Sequence, residues 1–120
     1  MKIAVTGAGA MGSLFGGRLA MAGNDVTMIA MSPATIETIN RDGIVLDDEA
    51  GRHVIPVKAE RAEDMVEKPD LIILFTKTLS SRAALEGAKQ YIGEGTYILT
   101  LQNGLGNIEL ISEYVEKDRI

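Results

Sequence analysis

An α/β fold, with a parallel sheet covered by helices on both faces and a small inserted hairpin, is predicted by three observations. Apolar runs of strand length (Ile3-Ala4-Val5, Val26-Thr27-Met28-Ile29, Leu71-Ile72-Ile73-Leu74-Phe75 and Tyr97-Ile98-Leu99-Thr100-Leu101) alternate with stretches of helical spacing. Leu71 to Phe75 has no polar residue, which suits a strand in the middle of a sheet buried on both sides. Six of the 13 glycines fall between Gly7 and Gly23, around the junction of the first strand and first helix.

The elements follow from start and stop signals. The first helix should begin near Met11 and stop at Gly23. The second starts at Ser32-Pro33, a cap followed by proline in the first turn, and ends before Gly43. Between Gly43 and Val57, two apolar runs flank the polar turn 47–51, which reads as a hairpin appended to the sheet. Leu85, Ala88 and Ile92 place a third helix over Ser80 to Ile92, and Ile108, Ile111 and Val115 a fourth over Leu105 to Lys117. Gly93-Glu94-Gly95 separates the third helix from the strand after it. No repeat or interdomain linker is visible.

Composition narrows the chemistry. With 120 residues, 46% of them hydrophobic and 24% charged, the chain has the make-up of one folded domain. No cysteine and one histidine exclude thiolate chemistry and Cys- or His-rich metal centres. A net charge of −5 opposes broad contact with nucleic acid or anionic lipid, and no apolar run reaches the length of a membrane span. The expectation is a cytoplasmic chain with a small-molecule partner, no nucleic acid, no membrane and no metal; a homodimer is the association left open.

Gly7-Ala8-Gly9-Ala10-Met11-Gly12 is a G-x-G-x-x-G placed directly after a predicted strand and opening a predicted helix. In a Rossmann-like unit the first glycine permits the tight turn, the second lets backbone approach a pyrophosphate, and the third lets helix pack on strand, while N–H groups at the helix start face the anion. These six residues are the candidate cofactor loop; a glycine-rich turn without ligand is the bland alternative. Gly16-Gly17 points to close helix packing, or to tolerated sequence, and is given no ligand role.

The end of the second strand ordinarily separates NAD from NADP: an acidic residue there bonds a ribose 2′-OH, whereas a nearby arginine accepts a 2′-phosphate. Here it reads Ala30-Met31-Ser32, with no Lys or Arg between Arg18 and Arg41. The missing acid removes a group that would repel a phosphate, and the Ser32 hydroxyl at a helix start is able to donate to one, so the reading is NADP with NAD as the alternative. Ser32 also has the plainer reading of an N-cap.

From Met1 to Arg119 the sequence resembles the N-terminal domain of the ketopantoate reductase (2-dehydropantoate 2-reductase) family. The resemblance rests on the glycine loop, on Thr76-Lys77 ending a buried strand, and on Gln102-Asn103-Gly104-Leu105-Gly106 after the next strand. It implies that Lys77 contacts the cofactor and that Asn103 contacts cofactor and substrate near the nicotinamide. It implies hydride transfer from NADPH to the keto carbon of 2-dehydropantoate, giving pantoate for pantothenate and coenzyme A synthesis. The family's proton donor is a lysine of a helical C-terminal domain, so no catalytic residue is assigned in this chain. Residues 1–120 are expected to be an incomplete NAD(P)-binding domain, unable to turn over 2-keto acid by itself. The sequence departs from the family at Met31, where many members carry the arginine for the 2′-phosphate. An NAD-dependent D-2-hydroxyacid dehydrogenase of the same family and a non-catalytic dinucleotide-binding module are therefore the alternatives.

Other polar residues are weaker candidates. His53 reads as an exposed polar residue of the hairpin without a sequence-local partner. Glu60, Glu63, Asp64 and Glu67 read as a solvated acidic face, and the six methionines as core filler.

Overall fold

The computed structural model describes residues 1–7, 9–75, 78–100 and 107–120, with side chains throughout except at 10, 78–81 and 107. Five parallel strands form the main sheet: β1 (Lys2–Thr6), β2 (Asp25–Ile29), β5 (Lys58–Glu60), β6 (Leu71–Leu74) and β7 (Tyr97–Thr100), in the order β5-β2-β1-β6-β7. Ile3 lies beside Val26 on one side and Leu71 on the other, so β1 is central. Strand order reverses at β1, and the crevice beyond its carboxyl end is where such sheets take ligands.

The pleat sorts the strand side chains onto two faces. Ala4, Ile29, Ile72, Leu74 and Ile98 pack with Leu85, Ala88 and Tyr91, and with Ile111 and Val115. These come from α3 (Thr78–Ala88) with the turn of 3-10 helix that follows it (Lys89–Tyr91), and from α4 (Asn107–Ile111) and the turns after it. Ile3, Val5, Val26, Met28 and Ile73 pack on the opposite face, beneath α1 (Ala10–Met21) and α2 (Pro33–Asp42). The polar-free run thus contains an interior strand, Leu71–Leu74, with helices on both faces, as its composition predicts.

Gly16 and Gly17 are packing residues. A Cβ on Gly16 would lie 2.6 Å from the Met28 sulfur, and one on Gly17 would lie 2.9 Å from Leu46 Cδ1 and 3.2 Å from Ile44 Cγ2. The pair lets α1 rest on β2 and on the hairpin.

The structure corrects the sequence reading in three places. The hairpin, β3 (Ile44–Asp48) and β4 (Gly51–Ile55), is a separate two-stranded sheet rather than an extension of the main one, and it docks on α1 by apolar contact. The main sheet has instead an edge strand at β5, whose Lys-Ala-Glu sequence buries only Ala59 and carries no apolar signature. The fourth helix spans Asn107–Ile111 and gives way to turns and a 3-10 turn at Lys117–Arg119, so Val115 reaches the core from a turn.

Candidate functional site

The turn from β1 into α1 lies at the switch point. Gly7 has φ +104°, a region open to glycine, and its N–H donates to the Ile29 carbonyl at 3.2 Å, tying the loop to the end of β2. A Cβ on Gly12 would stand 1.8 Å from the Gly7 carbonyl oxygen, so α1 can press against the loop only because position 12 is glycine. Among the described residues, a Cβ on Gly9 would meet nothing within 4 Å. Gly9 is the N-cap of α1 and offers no side chain to cap that end, and the first turn holds no acidic residue. The leading N–H groups are thus presented to solvent or to an anion, in the field of the helix dipole. Met11 is exposed beside them.

Next to this loop a cleft of about 850 Å³ opens between the carboxyl ends of β1 and β2 and the face of α3, large enough for a small ligand. The β2–α2 turn, Ala30-Met31-Ser32, lines one wall, and the small residues Ala83, Ala84 and Gly87 of α3 leave room opposite. Arg61 and Glu63 stand at the rim, with Arg61 Nη1 3.4 Å from Glu63 Oε1. Thr6 and Tyr91 lie beneath, both buried, and among the described residues neither Thr6 Oγ1 nor Tyr91 OH has a hydrogen-bond partner of ordinary geometry. Burial pushes the Tyr91 hydroxyl above its ordinary pKa, with the Thr6 hydroxyl acting weakly the other way. Two buried hydroxyls whose contact with each other falls short of ordinary hydrogen-bond geometry are groups a polar ligand or water would satisfy.

Ser32 is the N-cap of α2, its Oγ accepting from Thr35 N–H at 3.4 Å, with Pro33 in the first turn. It also lines the cleft, so the capping and ligand readings fall on one residue with an O–H left to donate. Met31 is 93% exposed. Ala8, Lys77 and Asn103 lie outside the described residues, as does the side chain of Ala10. The strands that precede positions 77 and 103, β6 and β7, end at the same edge of the sheet as β1.

Four cleft residues escape a linear reading. Thr6 belongs to a strand and Tyr91 to a helix end. Arg61 and Glu63 are some thirty positions beyond the second strand, and only the β2–β5 pairing brings them to Ser32. Glu63 is exposed, as its place in a solvated acidic stretch predicts, and it also lines the cleft. His53 is corrected: it is half-buried, and its Nε2 lies 2.9 and 3.0 Å from the two carboxylate oxygens of Asp48, whose Oδ2 also accepts from Arg18 at 3.1 Å. This cluster fastens the hairpin to α1 and is not among the cleft residues. Among the described residues no group of three His, Cys, Asp or Glu is placed to hold a metal ion, and no helix is long and apolar enough to cross a membrane.

Residues 3–120 match the family model described as ketopantoate reductase PanE/ApbA. The chain is 44% identical over 115 residues to 2-dehydropantoate 2-reductase of Pyrococcus abyssi, an alignment covering 95% of this chain and 37% of the relative. Among solved structures it is similar to a D-mandelate dehydrogenase in complex with NADH and anilino(oxo)acetate (TM-score 0.91, 32% identity, 100% of this chain and 39% of the other). It is also similar to 2-dehydropantoate 2-reductase of Geobacter metallireducens GS-15 (TM-score 0.80, 35% identity, 94% and 37%). The chain thus spans less than two-fifths of the length of these relatives.

Proposed function

Because the chain belongs to the ketopantoate reductase PanE/ApbA family, we propose that it is the dinucleotide-binding part of an NADPH-dependent 2-dehydropantoate 2-reductase. The observation that carries this reading is the contrast within the glycine loop: position 12 has no room for a Cβ, whereas position 9 faces open space beside an uncapped helix start. A pyrophosphate brought to the helix start would use that open space at position 9.

The residues present fit such a cofactor. The α1 N-terminus and the Gly9 backbone suit the pyrophosphate, and the cleft beside Ala30-Met31-Ser32, with its two buried hydroxyls beneath, suits the adenosine half. When bound, the dinucleotide supplies a hydride to the keto carbon of the substrate. Lys77, after β6, is assigned to a ribose or the substrate carboxylate. Asn103, after β7, is assigned through its amide to cofactor and substrate near the nicotinamide. No residue of these 120 is assigned the proton donor. The substrate class is a small 2-keto acid, the location cytoplasmic, and a homodimer is the assembly to test by ultracentrifugation.

NADP is favoured over NAD by the absence of a carboxylate at 30–32. A second reading, an NAD-dependent D-2-hydroxyacid dehydrogenase, is favoured by the likeness to the NADH-bound D-mandelate dehydrogenase and by the uncharged Met31. Titration of the chain with NADPH and NADH, followed by nicotinamide fluorescence, tests both. Tighter binding of NADPH supports the first reading and tighter binding of NADH the second. A folded chain that binds neither overturns both.

A further inference from the structure

We propose that Arg61 is the residue that selects the cofactor, its guanidinium taking the 2′-phosphate that no cation on the β2–α2 turn is present to hold. The inference rests on the dinucleotide reading above and adds a residue from a different strand to it. In the β2–β5 pairing Ile29 lies beside Glu60, and Ala30 N–H donates to the Glu60 carbonyl at 3.1 Å. The two chains leave the sheet side by side, so Arg61 emerges next to Ala30 and shares the cleft with Met31, Ser32 and Thr35. Arg61 is far from Ala30-Met31-Ser32 along the chain, and parallel pairing of β2 with β5 brings it beside them.

The chemistry of the rim suits a phosphate ester. An arginine fork binds phosphate oxygens in a bidentate manner, and the Ser32 hydroxyl retains a donor on the same wall. The partner recorded for Arg61 among the described residues is Glu63, through a single contact of 3.4 Å between half-exposed and exposed side chains. Such a surface pair is weak, so a phosphate dianion displaces the carboxylate rather than competing with a buried ion pair. Glu63 remains a nearby negative charge, and it sets how strongly the phosphate is held.

Arg61→Gln and Glu63→Gln test this with two fragments that differ only at the ribose 2′ position, 2′,5′-ADP and 5′-AMP, titrated calorimetrically into the 120-residue chain. The wild type should bind 2′,5′-ADP about tenfold more tightly than 5′-AMP. Arg61→Gln should bring that ratio to about one while leaving 5′-AMP affinity unchanged, and Glu63→Gln should widen it by about threefold. The proposal is overturned if Arg61→Gln preserves the ratio, or if it weakens both fragments alike, as an adenine contact or a structural support would. It is equally overturned if the wild type prefers 5′-AMP, the outcome expected were Glu63 receiving the 2′-OH. If the wild type binds neither fragment and neither dinucleotide, the dinucleotide reading itself falls, and that failure is distinct from one in which the fragments bind without regard to Arg61.

Discussion

The side-chain amide of Asn40 brackets the backbone of Ala59: its Nδ2 donates to the Ala59 carbonyl at 3.0 Å and its Oδ1 accepts the Ala59 N–H at 2.8 Å. Ala59 is the middle residue of the edge strand β5, and the helix residue supplies what a further strand would have supplied. An open edge is a site for unwanted pairing, and here one amide closes its centre. Asn40→Ala leaves both groups of a buried residue without partners, so the expected loss is about 1–3 kcal/mol of unfolding free energy, read as a lowered urea midpoint. Asn40→Asp keeps the acceptor but sets a carboxylate oxygen against the Ala59 carbonyl. It should cost at least as much, and equal stability of wild type and both variants would contradict the bracket.

The hairpin is fastened electrostatically as well as by packing. The hydrogen bond with His53 contributes most to holding the Asp48 carboxyl below its ordinary pKa, with Arg18 and the Ala50 N–H adding to it and partial burial opposing. A carboxylate depressed in the folded state contributes stability that is fully present above its unfolded value of about 4 and is lost as pH falls through the lower folded value. The stability difference between wild type and Asp48→Asn should therefore shrink as pH falls below about 4. Urea midpoints above and below that pH provide the check; a gap that stays constant to the lowest pH would assign Asp48 a purely steric role.

What the sequence discloses and what it hides divide along physical lines. The central strands are legible because burial on both faces demands unbroken apolar residues, as in Leu71 to Leu74. The loop is legible because close approach admits only glycine. β5 is hidden because an edge strand held by Asn40 needs just one buried side chain, Ala59. The hairpin's separation from the sheet is hidden because it is decided by what α1 leaves bare at Gly17, a property of two elements together. In the site, Gly7, Gly9, Gly12 and Ser32 can be picked out in one dimension, since each is set by its own local geometry. Arg61, Glu63, Thr6 and Tyr91 cannot, since their neighbourhood exists only after β2 has paired with β5 and α3 has packed on the sheet.

Tyr91 and Thr6 offer a test of the cleft both with and without ligand. A buried hydroxyl with no well-formed partner among the described residues loses its hydration for little in return, so Tyr91→Phe should leave stability unchanged or raise it by about 1 kcal/mol, unlike the usual loss for a core substitution. If the hydroxyls serve a bound dinucleotide, directly or through water, the same variant should weaken NADPH binding a few-fold, about 1 kcal/mol. Thermal melting with and without NADPH reads both effects. A Tyr91→Phe chain that is markedly less stable in the absence of ligand would show that the hydroxyl is already satisfied in the fold.

Gly9 and Gly12 should respond to alanine in opposite ways, and the opposition tests the site more sharply than either substitution alone. At Gly12 the added methyl would sit 1.8 Å from the Gly7 oxygen. No side-chain rotation relieves a clash between Cβ and backbone, so either α1 lifts from the loop or the loop shifts with it. Gly12→Ala should cost about 2 kcal/mol or more of stability and bind dinucleotide poorly as a consequence. At Gly9 the backbone is extended, with φ −75° and ψ −171°, and the methyl meets open space. Gly9→Ala should lie within about 1 kcal/mol of wild type, since the small loss of a glycine N-cap is offset by a less flexible unfolded chain. Its cost should appear only on titration, as an affinity for NADPH reduced by about tenfold or more because the methyl occupies the approach of the pyrophosphate. A Gly9→Ala chain with unaltered affinity would mean that the ligand does not come to this loop, whatever the stability of Gly12→Ala.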